Sequence, residues 1–221
     1  MKKICVFDLD GTLVDSIADI AAAVNASLRR MGKPAHPLEA YYRMVGDGMD
    51  LLCKRALGGE SADEAQKLIA LYQEEYLKNC CVHTQPYPGI PALLNRLRAQ
   101  GIKLAVLSNK PQVQTDEIAA GLFPAGTFFQ VIGQGPPFPK KPAPDSLFHL
   151  LQSACCTREE AWYIGDSDVD MLLGLNAQVD TIGAAWGFRG SDELCAAGAA
   201  HIARNAAELE EIILSSSPPN V

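Results

Sequence analysis

The sequence predicts an α/β fold with a mostly parallel sheet and an all-helical unit inserted near its start. Three observations carry this expectation. From residue 86 onward, short apolar runs alternate with helical patterns, as in chained strand–helix units. Residues 16–82 show helical periodicity and no strand signal. The polar clusters of the chain stand at or just after the ends of the expected strands, where open parallel sheets bind ligands.

Taken in order, Lys-Ile-Cys-Val-Phe at 3–7 reads as a short buried strand ending at Asp8, and Gly11 follows as a chain breaker. Ile17, Ile20, Val24, Leu28 and Met31 recur at spacings of three and four, a helix that Gly32 stops. Residues 38–57 read as two shorter helices broken at Gly46-Asp47-Gly48. Ser61-Ala62-Asp63-Glu64 is a capping box, opening a helix with Ala65, Leu68, Tyr72 and Tyr76 on one face. Pro86-Tyr87-Pro88-Gly89 is a turn. Strands are then expected at 103–107, 128–132, 161–164 and 179–182, with helices at 89–100, after Pro111, from Pro144, from Ser167 and after Asn205. The expected division is a core of residues 1–15 and 83–214, a helical cap of 16–82, and a disordered tail at 215–221.

Composition narrows the function classes. Of 221 residues, 48% are hydrophobic, enough for a substantial core. A net charge of −7 argues against nucleic acid or an anionic membrane as partner. No apolar run reaches the roughly 18–20 residues that span a bilayer, so a cytoplasmic location is expected. The seven cysteines include no CxxC and no zinc-like spacing with histidine, and they read as reduced thiols filling core positions. His36, His83, His149 and His201 are scattered, as surface or packing residues are.

Four clusters carry chemistry: Asp8-Leu9-Asp10-Gly11-Thr12, Ser108-Asn109, Lys140-Lys141-Pro142 and Gly165-Asp166-Ser167-Asp168-Val169-Asp170. Each also has a plain structural reading. Asp10 would serve as a turn residue, Ser108-Asn109 as a helix start before Pro111, and Lys140 and Lys141 as solvated loop charges. Ser167 and Asp170 have capping-box spacing. Convergence of all four on one sheet edge favours the functional reading. Asp168 and Asp15 read as a surface residue and a hinge or cap residue.

Together these clusters resemble the haloacid dehalogenase superfamily, in order and over residues 3–214. Asp8 to Ser16 resembles its first motif, DxDGT with a VDS extension; Ser108 resembles the second, Lys141 the third, and Gly165-Asp166-Ser167 with Asp170 the fourth. The resemblance implies a Rossmann-like core with a helical cap inserted after the first motif. It implies Asp8 as nucleophile and Asp10 as general acid and base. Mg²⁺ would be held by Asp8, the Asp10 backbone carbonyl and Asp166, with Asp170 binding or orienting it, and Ser108, Asn109 and Lys141 would hold the phosphoryl group. The second acid, Asp10, favours phosphoryl transfer over dehalogenation. Met44-Val45-Gly46-Asp47-Gly48-Met49, Ser108-Asn109-Lys110-Pro111 and Trp186-Gly187-Phe188-Arg189 look like phosphoglycolate phosphatases within the family.

The expected function is therefore Mg²⁺-dependent hydrolysis of a small phosphorylated metabolite, by a monomer or homodimer. A β-phosphoglucomutase-like or pyrophosphatase activity, and a binding module without turnover, are the alternatives. Arg43 or Lys54 would meet an anionic substrate tail, or lie on solvated helix faces. Asp47 would repel a substrate carboxylate if it faced one.

Overall fold

The computed structural model describes residues 2–59 and 61–215. The expected tail falls almost wholly at 216–221, outside the described residues.

Six strands form one parallel sheet: β1 (Ile4–Phe7), β4 (Lys103–Pro111), β5 (Gln130–Gln134), β6 (Ala161–Gly165), β7 (Asp180–Ala184) and β8 (His201–Ala203), in the spatial order β5-β4-β1-β6-β7-β8. The central strands are buried on both faces, which explains their unbroken apolar runs. In β1, Cys5 and Phe7 join one hydrophobic cluster while Ile4 and Val6 join the other. The same alternation puts Trp162 and Ile164 on one face of β6 and Ala161 and Tyr163 on the other. Helices α5 (Ile90–Ala99), α6 (Gln112–Leu122) and α10 (Ala206–Ser215) bring Leu93, Ile118 and Leu209 to the first cluster; α7 (Asp145–Ala154) and α8 (Asp168–Ala177) bring Leu150 and Leu173 to the second.

Four helices, α1 (Ile17–Arg30), α2 (Leu38–Met44), α3 (Met49–Ala56) and α4 (Ala62–Asn79), lie between β1 and the rest of the sheet. Their boundaries follow the expected breaks, and Ser61 Oγ accepts from the Glu64 amide at 3.4 Å. The expected inward residues of α4, Ala65, Leu68, Tyr72 and Tyr76, are all buried. The chain leaves and re-enters the core through a feature not anticipated: β2 (Val14–Asp15) pairs antiparallel with β3 (Gln85–Pro86). Asp19 of α1 fastens this junction. Its carboxylate, 3% exposed, accepts from the His83 and Thr84 amides and the Thr84 hydroxyl at 2.7–3.0 Å.

Several expectations need correction. Strand β4 does not stop at Ser108 but runs to Pro111, with its register against β5 shifting between Leu107 and Pro111. Helix α9 (Ser191–Ala196) and strand β8 were not foreseen, being too short for a periodic signal. Cysteine packing is mixed: Cys5, Cys53 and Cys80 are buried, whereas Cys81, Cys155 and Cys195 are exposed.

Candidate active site

In-register pairing builds the site. Phe7 of β1 stands opposite Val106 of β4 and Ile164 of β6. The next residues on those three strands therefore emerge side by side: Asp8, then Leu107-Ser108, then Gly165-Asp166. Carboxylate oxygens of Asp8, Asp166 and Asp170, all buried, lie within 4.8 Å of one another.

Backbone close approach makes this crowding possible. Gly11 has φ +82°, and a Cβ there would overlap the Asp166 carboxylate. A Cβ at Gly187 would strike the same side chain, so Asp166 is held between two glycine turns. Its Oδ2 accepts from the Phe188 amide at 2.8 Å, and its Oδ1 from Thr12 Oγ1 at 3.4 Å.

Lys141 supplies the buried cation at this centre. Its Nζ lies 2.9 Å from Asp8 Oδ1 and 2.7 Å from Asp170 Oδ1, and donates to the Tyr163 hydroxyl at 3.0 Å. Burial opposes its charge, yet Asp170 and Asp8 overcome that and raise its pKa. Asp170 also caps α8, accepting from the Ser167 amide at 3.2 Å and hydroxyl at 2.7 Å. Asp170 thus caps the helix and stands in the carboxylate cluster at once.

Three clustered carboxylates have one ammonium beside them, paired with Asp8 and Asp170 but not Asp166, and the imbalance shows. Burial pushes the Asp8 carboxyl up to about 7; Lys141 pulls it back and Asp170 adds to the rise. Asp166 is pushed well up by burial, then by Asp170 and Asp8. Such an oxygen-only set with excess negative charge fits a hard divalent cation.

Asp10 is turned the other way. Its side chain is not among the three clustered carboxylates. Oδ2 accepts from Lys110 Nζ at 2.6 Å and Oδ1 from Ser16 Oγ at 2.5 Å. Asp8, Asp10, Ser108, Asn109, Lys110 and Gln114 meet Ile20, Val45, Met49, Leu52 and Tyr72 of the helical segment around one cleft.

Asn109, expected beside a phosphoryl group, lines the cleft, but its carboxamide clamps the Lys141 backbone. Oδ1 accepts from the Lys141 amide at 2.8 Å, and Nδ2 donates to the Lys141 carbonyl at 3.2 Å. The same Nδ2 reaches the Gly46 carbonyl of the cap at 3.3 Å. On either side of it, Arg189 donates to the Val45 carbonyl at 3.1 Å and Lys140 to the Asp47 carbonyl at 2.9 Å. Asn109, Lys140 and Arg189 thus hold three successive carbonyls of the 45–47 loop. Lys140 is therefore no solvated loop charge.

Asp47 pairs with Arg55 at 2.6 Å and does not line the cleft. Arg43 and Lys54 are exposed and also stand outside it. Asp168 is half-buried and outside the carboxylate cluster. The residues that sequence reasoning left without a role are Lys110, Tyr163 and Gln114. Lys110 stood in the quoted Ser108–Pro111 segment; Tyr163 and Gln114 carried no signal beyond strand and helix periodicity.

The model of the haloacid dehalogenase-like hydrolases matches residues 5–184. Phosphoglycolate phosphatase from Pseudomonas putida is 35% identical over 195 residues, covering 85% of this chain and 71% of that protein. The one from Psychrobacter arcticus is 32% identical over 230 residues, covering 99% of both. A crystal structure from Lactobacillus delbrueckii subsp. bulgaricus, of a protein named only provisionally as a phosphoglycolate phosphatase, superimposes with a TM-score of 0.91 at 32% identity, covering 96% of this chain and 99% of that one. The chain belongs to the haloacid dehalogenase-like hydrolases. With phosphoglycolate phosphatases among its relatives at 32–35% identity over most of the chain, it is a phosphatase of that family. No helix among the described residues is long and apolar enough to cross a membrane.

Proposed function

We propose that the protein hydrolyses a small phosphate monoester through an aspartyl-phosphate on Asp8, with 2-phosphoglycolate, the substrate its named relatives suggest, as the leading candidate. The observation that carries this is the meeting of Asp8, Asp166 and Asp170 around Lys141, with Asp10 two residues from Asp8 at the cleft wall.

An Asp8 carboxylate oxygen attacks phosphorus as the ester P–O bond breaks. Asp10 gives its proton to the departing alkoxide, so the leaving group departs as a neutral alcohol. Asp10 then takes a proton from water, which attacks phosphorus, frees the Asp8 carboxylate and yields inorganic phosphate. Ser108 donates from within β4; its oxygen already accepts from the Lys110 amide at 3.2 Å, leaving its proton for a phosphoryl oxygen. Lys141 faces the phosphoryl group with its charge, and Asn109 holds the Lys141 backbone in place.

Asp8, Asp166, Asp170 and the Asp10 backbone carbonyl are the residues that would hold Mg²⁺, which when bound offsets the negative charge of carboxylates and phosphate. The helical segment 16–82 acts as a cap whose 45–47 loop closes over the cleft and excludes water.

The test is hydrolysis of p-nitrophenyl phosphate, acetyl phosphate and 2-phosphoglycolate with and without EDTA. Mg²⁺-dependent turnover is expected. Asp8→Asn is expected to lower it by roughly four orders of magnitude or more. Folded protein with no metal-dependent turnover on any ester would refute the reading, and substantial activity in Asp8→Asn would refute the nucleophile.

A further inference from the structure

The geometry points to a carboxylate subsite at the core–cap seam, built from Lys110 and Gln114, that takes the anionic tail of the substrate and so releases Asp10 for proton transfer. It rests on the phosphatase reading of the same cleft and names the class of ester, one with a carboxylate a carbon away from the leaving oxygen.

Four observations converge. First, among the described residues that line the cleft, Lys110 is the only cation, and the cap side is apolar: Ile20, Val45, Met49, Leu52 and Tyr72. An anion entering such a space needs a buried positive partner. Second, Lys110 is 6% exposed and lies against the Tyr76 ring at 4.6 Å, so its ammonium is fixed by packing rather than solvated. Third, Gln114 is 2% exposed and lines the cleft, and its Oε1 has no hydrogen-bond partner. A carboxamide can turn end for end at little cost, presenting its NH₂ to an anion. Fourth, both Asp10 oxygens are occupied, by Lys110 and Ser16.

The fourth observation sets the logic. Asp10 must reach the leaving oxygen, and Lys110 lies one hydrogen bond beyond Asp10. A group one carbon from that oxygen therefore comes within reach of Lys110. A substrate carboxylate there competes for Nζ and frees Asp10 Oδ2. An ester with a neutral tail offers no such competitor and leaves Asp10 tied. The discrimination accordingly falls on kcat as well as on KM.

The experiment compares 2-phosphoglycolate with 2-hydroxyethyl phosphate, which keeps the chain length and replaces carboxylate by CH₂OH. In the wild type, kcat/KM is expected to favour 2-phosphoglycolate by about 10- to 100-fold or more. Lys110→Met, close in volume, is expected to cut that ratio by about tenfold or more through the 2-phosphoglycolate value. Gln114→Leu should cut it by a few-fold. Calorimetric binding of glycolate against ethylene glycol reads the subsite without turnover: glycolate is expected to bind the more tightly, and Lys110→Met to remove the difference.

A wild-type ratio near one, or equal binding of glycolate and ethylene glycol, would overturn the subsite while turnover of either ester kept the phosphatase reading intact. An equal loss on both esters in Lys110→Met would also overturn it, because Lys110 would then act only by positioning Asp10. Absence of turnover on both esters would refute the phosphatase reading, and with it this inference.

Discussion

Two buried lysines stand on either side of the Asp8–Asp10 turn, and they are built differently. Lys141 is enclosed by core residues alone, with Asp8, Asp170 and Tyr163 as partners. Lys110 has a single carboxylate, Asp10, and rests on Tyr76, which the helical insert supplies. Both keep their charge, since neighbouring carboxylates outweigh burial in each. The contrast separates a permanent feature of the core from one that depends on the insert and on what enters the cleft. A charge with three fixed acceptors costs much to disturb; a charge with one partner can exchange it.

The largest difference is expected on removing each ammonium. Lys141→Met leaves Asp8 and Asp170 buried without their cation, and a loss of about 3–5 kcal/mol in urea unfolding is expected, with activity nearly abolished. Lys110→Met leaves Asp10 partly exposed and still bonded to Ser16. Its stability loss should be smaller by about 2 kcal/mol, and equal losses would dissolve the distinction.

Next comes the acidic centre itself. In the metal-free protein the Asp8 pKa is raised to about 7, and Asp166 is also raised. For a carboxyl raised on folding, the folded state holds the proton more tightly than the unfolded chain. The stability this contributes is fully present below about pH 4 and is lost as pH rises through about 7. With EDTA, Tm should therefore fall between pH 5 and pH 8. Mg²⁺ held at this centre would bind the ionised carboxylates of the folded state, so its stabilising shift should be larger at pH 8. A Mg²⁺ shift equal at both values would count against this centre as the metal site.

A smaller effect is expected at the 45–47 loop. Lys140→Ala removes one of the three donors to the 45–47 carbonyls. KM for the best substrate should rise about three- to tenfold with Tm nearly unchanged. Smallest of all is Asp47→Ala. Its carboxylate is a partly exposed partner of Arg55, so kcat/KM should move by less than about threefold and stability by at most about 1 kcal/mol. A marked gain on anionic substrates would mean that Asp47 does face the cleft.

Much of this was readable from local pattern. The strand–helix alternation after residue 86 and the helical periods of 16–82 correspond to observed elements, because periods of 2 and 3.6 are written in neighbouring residues. Short pieces such as β2, β3, β8 and α9 were not, since two to six residues carry no period and are set by the strands they meet. Asp8, Ser108, Lys141, Asp166 and Asp170 were legible as residues at or near strand ends. The side-chain commitment of Asn109 was not. It is made to a loop 32 residues away and to the cap, and both contacts depend on how those segments pack.

The chain's local pattern fixed the class of fold, placed four polar clusters at or near strand ends, and set the Asp8–Asp10 spacing that resembles the family's first motif. Which charges meet follows from packing alone: Lys141 with Asp8 and Asp170, Lys110 with Asp10, Asp47 with Arg55. Secondary structure follows from interactions within a few residues. A buried charge finds its partner far along the chain, Lys141 with Asp8 and Lys110 with Asp10, wherever folding leaves both without water.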